Sequence, residues 1–259
     1  VIEPETLPIE AGGASCDIDG DGDQDIVFGA DSSANEMWWW ENPFPSFERP
    51  WKRRQIKSGG ANKHHDQVCG DFDADGQAEL AFWNQKAGTL FLAQVPANPG
   101  EVSPWPTTAI YSTTARSEGL TASDINSDGR VDLVGAGHWF EHLEGGSFQP
   151  HLIDESQTFT RVAAGQLKKG GWSEVVFVAG DGRGPLVWYE RDGSSWVGHQ
   201  LLEEPVNHGH SLQIMDFNAD GNLDILCGEM RLHGKNEDAG LLIFFGDGQG
   251  SFQKQVIAQ

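Results

Sequence analysis

The stretch that decides the fold reads Asp17-Ile-Asp-Gly-Asp-Gly-Asp-Gln-Asp25 and leads at once into the apolar run Ile26-Val-Phe28. The arrangement recurs, with acidic or amide side chains at positions 1, 3, 5 and 9, glycine at position 6 and an apolar run after position 9. Further copies begin at residues 71, 124 and 216, and a degenerate copy runs from Gln166 to Glu174. The starts are 54, 53, 42 and 50 residues apart, and a repeat of this length is typical of radial or stacked arrays.

Each repeat also contains several short apolar runs separated by Gly, Asp and Asn, which predicts four strands per repeat and no helices. Four strands per repeat is typical of a β-propeller blade. A β-sandwich is the structural alternative, but a sandwich would not require five copies of one loop. We therefore predict an all-β protein, a single β-propeller domain over residues 1–259. Its five visible blades either close on themselves or form part of a larger ring.

The charge of the chain excludes several kinds of partner. Lys and Arg total 17 and Asp and Glu total 39, which gives a formal charge of −22. Nucleic-acid binding requires a basic surface, so no nucleic-acid partner is expected. No apolar stretch approaches the roughly 18 residues of a spanning helix, so membrane insertion is not expected either. Cys16, Cys69 and Cys227 adjoin apolar runs without CxxC spacing, and we predict that all three are buried free thiols.

The repeated loop has the composition of a cation site. Oxygen ligands at positions 1, 3, 5 and 9, with a sharp glycine turn at position 6, suit a hard ion such as Ca²⁺. An EF-hand is excluded because position 12 is not Glu and no helix follows. An Asp-rich turn without metal is the alternative. The predicted Ca²⁺ ligands are Asp17, Asp19, Asp21, Asp25, Asp71, Asp73, Asp75, Glu79, Asp124, Asn126, Asp128, Asp132, Asp216, Asn218, Asp220 and Asp224.

The fourth copy of the loop departs from this pattern. Its only carboxylate is Glu174, and Lys168 occupies position 3, where the other copies have Asp or Asn. An ammonium group there can replace the cation, so we predict that this loop binds no metal ion.

The repeated pattern resembles the FG-GAP/VCBS family of β-propeller repeats across essentially the whole chain. The resemblance implies calcium loops that brace the blades, and it is specific for fold and weak for function. Members of that family include adhesion proteins, lectins and polysaccharide lyases. Together with the acidity, the calcium-type loops predict a secreted, periplasmic or cell-surface protein.

A second set of residues is predicted at the opposite ends of the blades. If the first strand of each blade runs toward its loop, then the start of that strand and the end of the second strand lie at the far end. Counting back six residues from each loop start gives Ala11, His65, Glu118, Thr160 and His210. The ends of the second strands give Asp31, Asn84, His138, Asp181 and Glu229. The sequence therefore predicts a ligand site rich in imidazoles and carboxylates at the mouth of the central tunnel, the end away from the acidic loops. The alternative is that these polar residues only fill the tunnel mouth and bind no ligand.

The chemistry of this mouth suits proton abstraction or metal binding. His65 and His210 are the candidate general bases, with Glu118 in the acid–base set and Arg161 as the group that stabilises a developing oxyanion. His64, His208 and Glu229 are candidate ligands of Zn²⁺ or a similar divalent ion. The candidate substrate-binding residues are Asp66, Trp83, Asn84, His138 and Trp139.

The segment His138-Trp-Phe-Glu141-His142 matches the HxxEH pattern of some zinc proteases. That chemistry needs both histidines on one face of a helix, and the repeat places this segment on a strand. Residues four apart on a strand are separated by roughly 13 Å, which is too far to share a metal.

Four short segments look like the propeller of aldos-2-ulose dehydratase-like proteins: His64-His-Asp-Gln67, Glu118-Gly-Leu120, His208-Gly-His-Ser-Leu212 and Gly228-Glu-Met230. This looser resemblance implies a carbohydrate-active lyase or dehydratase that removes a proton next to a carbonyl or carboxylate. Those proteins carry a larger ring and extra domains. The alternatives are a calcium-dependent lectin or adhesion module, which binds carbohydrate without turnover, and a purely structural propeller.

Overall fold

The computed structural model of the chain describes residues 2–73, 75–232 and 236–258. These residues form five four-stranded antiparallel sheets, which confirms the all-β prediction. Within each four-stranded sheet the strands follow chain order, and two further short strands pair only with each other. In each sheet the loop of the sequence repeat connects the first strand to the second. No helix in the described parts of the chain is long and apolar enough to cross a membrane.

The strands of the five sheets have the following bounds. Sheet 1 contains β1 (Ala14–Cys16), β2 (Asp25–Gly29), β3 (Met37–Glu41) and β4 (Lys52–Lys57), and sheet 2 contains β5 (His64–Gly70), β6 (Glu79–Asn84), β7 (Thr89–Gln94) and β8 (Thr107–Ser112). Sheet 3 contains β9 (Thr121–Ser123), β10 (Asp132–Gly135), β11 (His138–His142) and β12 (Phe148–Leu152). Sheet 4 contains β13 (Thr160–Gly165), β14 (Glu174–Ala179), β16 (Leu186–Asp192) and β17 (Ser195–Gln200), and sheet 5 contains β19 (Ser211–Met215), β20 (Asp224–Gly228), β21 (Leu241–Gly246) and β22 (Phe252–Ala258). A two-stranded ladder pairs β15 (Arg183–Gly184) with β18 (Val206–Asn207).

Burial within the sheets follows the apolar runs of the sequence. The two middle strands of each sheet are the most buried, and every residue of β6 and β10 is buried. The fourth strand is the most exposed, as in β22, where six of seven residues are exposed. The continuous apolar runs after position 9 are therefore strands covered on both faces.

The chain divides into two compact units. Unit 1 runs to Glu118 and includes Leu143–Phe148, and unit 2 comprises Gly119–His142 and the chain from Gln149 onward. In unit 1, the first strand of sheet 1 lies beside the first strand of sheet 2. In unit 2, β13 lies between β9 and β19, which are again the first strands of their sheets. Each unit thus brings first strands side by side.

The cysteine prediction was wrong for two of the three thiols. Cys16 and Cys69 form a disulfide that joins β1 to β5, whereas Cys227 is free and buried as predicted. The sequence did not reveal the bond because its two cysteines are 53 residues apart, on different sheets. They meet because β1 and β5 are neighbours in unit 1.

Candidate functional site

The first repeat loop, loop 1 (residues 17–25), is built around the carboxylate of Asp17. Its Oδ1 accepts the N–H groups of Gly20 and Asp21 at 2.9 and 3.1 Å, and its Oδ2 accepts the N–H group of Gly22 at 3.0 Å. Gly20 and Gly22 have φ values of 76° and 94°, in the left-handed region that glycine adopts without strain. The first aspartate therefore closes the turn and holds its own carboxylate at the centre.

The same contacts recur in loop 2 (residues 71–79), loop 3 (124–132) and loop 5 (216–224). In each, the carboxylate at position 1 accepts the N–H groups of positions 5 and 6 within 3.1 Å. The carboxylate at position 5 then accepts the N–H group of position 7, in loop 1 as well. Side-chain oxygens at positions 1 and 5 are thus fixed in the same way in four loops.

Two of these loops gather carboxylates closely enough to hold a metal ion. Ligand oxygens of Asp17, Asp19 and Asp21 lie within 4.8 Å of one another, as do those of Asp71, Asp73 and Glu79. Burial, followed by repulsion from Asp21, raises the pKa of Asp19 above its ordinary value. An all-oxygen donor set under mutual repulsion fits a hard divalent cation such as Ca²⁺.

Loops 3 and 5 have asparagine at position 3 and arrange it differently. Asn126 donates to the carboxylate of Asp128 at 3.1 Å, and Asn218 donates to that of Asp220 at 2.9 Å. Arg130 also pairs with Asp128 at 2.5 Å. In both loops an amide N–H group thus hydrogen-bonds the carboxylate at position 5, and in loop 3 the guanidinium of Arg130 also offsets part of the negative charge.

The carboxylate at position 9 is buried and braces the backbone. Asp25 accepts the N–H groups of Ile18 at 3.1 Å and Asn42 at 2.8 Å. Glu79, Asp132 and Asp224 accept the N–H group of position 2 in their own loops in the same way. Burial raises the pKa of Asp25 to about 7 and that of Glu79 to about 7. The predicted ligands at position 9 thus already hold hydrogen bonds that tie the loop to its sheet.

Loop 4 (residues 166–174) keeps the brace and replaces the acidic cluster. Glu174 accepts the N–H group of Lys168 at 2.9 Å. The ammonium group of Lys168 pairs with Glu190 on β16, which also contacts His199 at 2.9 Å. Gly170 and Gly171 have φ values of 85° and 88°, so the turn forms without carboxylates at positions 1, 3 and 5.

At the end of sheet 2 away from loop 2, His64 lies in the core. It is fully buried, its ring meets Phe82 edge-on, and its Nε2 lies 3.3 Å from the ammonium of Lys57. Burial, followed by the charge of Lys57, lowers the pKa of His64 to about 4. A cation next to Lys57 would be repelled, so this environment disfavours the predicted role of His64 as a metal ligand.

The neighbouring His65 lies between two carboxylates. Its Nδ1 is 2.7 Å from Asp66, and its Nε2 is 3.7 Å from Glu10. Asp66 has a φ of 47°, and a Cβ on Gly12 would lie 2.4 Å from its Oδ1, so the close approach requires glycine there. The arrangement can orient the imidazole by holding its Nδ1 against the carboxylate of Asp66. The sequence analysis assigned no role to Glu10, although its repeat position, just before Ala11, corresponds to that of His64 and places it at the same end.

Other predicted residues of unit 1 have structural contacts. Trp83 is buried opposite His65, with its ring 6.4 Å from that of Tyr111. Asn84 is buried and hydrogen-bonds Ala61 and Ala87. Glu118 is buried as well.

In unit 2, the corresponding end of sheets 4 and 5 contains Arg161, Asp181, His208 and His210. His210 Nε2 lies 3.7 Å from Asp181. Burial, followed by the charge of Arg161, lowers the pKa of His210 below its ordinary value. His208 Nδ1 contacts Asn207 at 2.7 Å. The structure thus brings together three predicted site residues here.

Glu229 serves as a brace in the same region. Its two oxygens accept the N–H groups of Asn207 at 2.7 Å and Gly240 at 2.9 Å. Each oxygen thus already has a backbone partner, so Glu229 stabilises the local backbone in addition to any role as a metal ligand. These bonds could not be predicted from spacing, because Asn207 and Gly240 lie 22 and 11 residues from Glu229 along the chain.

The HxxEH segment lies on a strand, as predicted. His138 and His142 are the first and last residues of β11, so the segment lacks the helix of the protease motif. His138 contacts Ala136 at 2.9 Å, and Trp139 is buried against His151.

Comparison with known proteins bears on the repeats directly. The model of the FG-GAP-like repeat matches residues 17–82 and 71–135, which include loops 1 to 3. Residues 17–135 therefore carry FG-GAP-like repeats. Loop 5, outside the matched FG-GAP-like region, has the same hydrogen bonds as loops 2 and 3.

Among solved structures, the biofilm matrix protein Bap1 of V. cholerae is similar, with 17% identity and a TM-score of 0.48. The alignment covers 75% of this chain and 29% of that chain, so this chain spans less than a third of its length. No curated protein matches the chain.

Proposed function

We propose that the five sheets are the blades of a β-propeller that binds Ca²⁺ through loops 1, 2, 3 and 5 and acts as an extracellular, adhesion-type binding module for carbohydrate. The side-by-side first strands within each unit support the radial arrangement of blades. FG-GAP-like repeats over residues 17–135 support the same arrangement.

The observation that carries the proposal is the geometry of loop 1. Oxygens of Asp17, Asp19 and Asp21 lie within 4.8 Å of one another, and backbone N–H groups hold Asp17 and Asp21 in place. A cation entering this loop would meet oxygens that are already positioned. The conformational entropy of these side chains is then already lost when the chain folds, so less is lost when the ion binds, and binding is tighter.

An extracellular location is supported by the Cys16–Cys69 disulfide. Disulfides persist in oxidising compartments and are rare in the cytosol. The Cys16–Cys69 disulfide lies beside loops 1 and 2, which agrees with a calcium-rich, oxidising environment outside the cell.

The test is a calcium titration of the chain by calorimetry, with thermal unfolding measured in calcium and in EDTA. We expect calcium to raise the melting temperature, because free ion at 100 times the dissociation constant stabilises a site by about 2.7 kcal/mol. The Asp17→Asn/Asp21→Asn variant should bind one ion fewer. Asp192→Asn, an exposed carboxylate outside the loops, is the matched control. No heat of binding together with an unchanged melting temperature would contradict the proposal.

A second candidate function is a carbohydrate lyase or dehydratase, and the His65–Asp66 contact favours it. An imidazole held at 2.7 Å by a carboxylate is the arrangement that a general base requires.

Ultraviolet absorbance tests this second function, because an unsaturated product absorbs where the sugar does not. Incubation with keto-sugars and uronic-acid glycans should then give a signal that His65→Ala reduces by about 10²–10⁴-fold. His199→Ala, on the outer strand β17, is the control. Sugar binding without any product would favour the binding module alone.

A further inference from the structure

Loop 4 lines a pocket of about 320 Å³ in unit 2, together with residues of β16. That volume is at the lower end of the roughly 300–1,000 Å³ of small-molecule sites, so the pocket suits a small ligand. Its lining includes Gly170, Gly171, Trp172, Glu190 and Arg191. A Cβ on either glycine would meet no atom within 4 Å, so a ligand can approach the backbone of the turn closely.

Two backbone N–H groups of loop 4 lack the acceptor that the other loops provide. In loops 1, 2, 3 and 5 the carboxylate at position 1 accepts the N–H groups of positions 5 and 6. Position 1 of loop 4 is Gln166, whose Nε2 instead donates to the carbonyl oxygen of Gly171 at 3.2 Å. No described residue accepts the N–H groups of Gly170 and Gly171. An anion from outside the chain can therefore take the place of the missing carboxylate.

Arg191 adds a guanidinium to the wall of this pocket. Its guanidinium carbon lies 4.9 Å from the ring centroid of Trp172 and 5.6 Å from that of Trp196. Stacking on indole rings uses the flat faces of a guanidinium and fixes its position, while the N–H groups at its edge stay available for an anion. The Nε atom is shielded from solvent without a hydrogen-bond partner, and no described carboxylate forms an ion pair with Arg191. The protein thus positions a cation that it does not neutralise.

The acidic residues of the pocket already have partners. Glu174 is buried and accepts the N–H group of Lys168 at 2.9 Å. Glu190 pairs with the ammonium group of Lys168 and contacts His199 at 2.9 Å. Among the described residues of the lining, Arg191 is therefore the charged group without a partner of opposite charge. By contrast, the described lining of the pocket between loops 1 and 2 has carboxylates and no cationic side chain.

We propose that the pocket of loop 4 binds the carboxylate group of a sugar acid, which supplies the acceptor that the side chain at position 1 supplies in the other loops. Arg191 presents parallel N–H groups that match a carboxylate, and the N–H groups of Gly170 and Gly171 add further donors. The inference rests on the proposed carbohydrate ligand and names its class, because a neutral sugar would leave the charge of Arg191 unpaired.

The experiment titrates the whole chain with galacturonate, galactose and acetate, followed by NMR, in EDTA so that no ligand binds through calcium. We expect galacturonate to bind more tightly than galactose and acetate. Arg191→Gln should weaken galacturonate binding about tenfold to a hundredfold, the usual effect of losing a charge-assisted hydrogen bond. Arg191→Lys keeps the charge without the fork and should lie between the two. Arg183→Gln, which removes an exposed arginine of β15 in the same unit, is the matched control.

A second variant tests the backbone donors of loop 4 separately from Arg191. Gln166→Asp places a carboxylate at position 1, as in the other loops, where it can accept the free N–H groups and repel a ligand carboxylate. Galacturonate binding should then fall about tenfold or more. Gln166→Asn, which has the same size without the charge, should bind like the wild-type chain. Thermal unfolding verifies that each variant folds.

Three results would overturn the site: equal affinity for galacturonate and galactose, wild-type affinity in Arg191→Gln, or wild-type affinity in Gln166→Asp. Acetate binding as tightly as galacturonate would overturn the sugar-acid assignment. Galacturonate binding that requires added calcium would show that an ion holds the carboxylate, and it would overturn the site as well.

A calcium titration of the same samples, free of EDTA, separates this inference from the proposed function. Calcium binding without galacturonate binding overturns only the sugar-acid site. Galacturonate binding in EDTA, from a chain that binds no calcium, contradicts the proposed calcium loops and supports this site.

Discussion

Loop 1 and loop 4 make the same turn with different side chains. Loop 1 has carboxylates at positions 1, 3 and 5, whereas loop 4 has Gln166, Lys168 and Gly170 there. Both keep a carboxylate at position 9 that accepts a backbone N–H group near the start of the loop. The turn therefore forms whether or not the loop has carboxylates at positions 1, 3 and 5.

The difference shows what each position contributes. In loop 4, left-handed glycines and the position 9 carboxylate suffice for the turn, and Lys168 pairs with Glu190. In loop 1, the charges at positions 1, 3 and 5 remain close together with no lysine between them. We infer that in loop 1 the acids at positions 1, 3 and 5 bind the ion and the carboxylate at position 9 stabilises the fold, as it does in loop 4. In loop 2 the position 9 carboxylate of Glu79 also lies within the acidic cluster.

The largest loss of stability is expected from removing the buried carboxylate at position 9 of a loop. Asp25→Asn and Glu174→Met should each lower the free energy of unfolding by about 1–3 kcal/mol, because each leaves a backbone N–H group without its acceptor. The single amide oxygen of Asn can accept only one of the two N–H groups that Asp25 accepts, and Met cannot accept the N–H group of Lys168. Urea unfolding in EDTA measures the loss without bound ions. The comparison predicts similar losses in both variants. If Asp25→Asn were harmless in EDTA and harmful only in calcium, position 9 would act through the ion.

A smaller loss of stability is expected from replacing Lys168 in loop 4. Lys168→Met should lower the free energy of unfolding by less than about 1 kcal/mol, because its pair with Glu190 is partly exposed to solvent. The loss should be the same in calcium and in EDTA, as measured by urea unfolding. Lys169→Met, at the exposed neighbouring position, is the control. A loss that calcium reverses would show that loop 4 also takes up an ion.

The sequence predicted the sheets better than the sites. The five loops were found because each is closed by contacts within nine residues, and the strands followed from the apolar runs beside them. His65 and Trp83 were also placed correctly, at the end of sheet 2 opposite its loop. The role of Glu229 could not be predicted, because it depends on partners brought close by the packing of unit 2.

What the amino-acid sequence determined by itself is the local chemistry of the repeat: where the chain turns, which oxygens face inward, and which loop lacks them. These features depend on residues that are neighbours along the chain, so spacing and residue type are sufficient. Only the tertiary structure joined Cys16 to Cys69 and brought His210 to Asp181. Those pairs come from different sheets, and their distance is set by how the sheets pack and not by the number of residues between them.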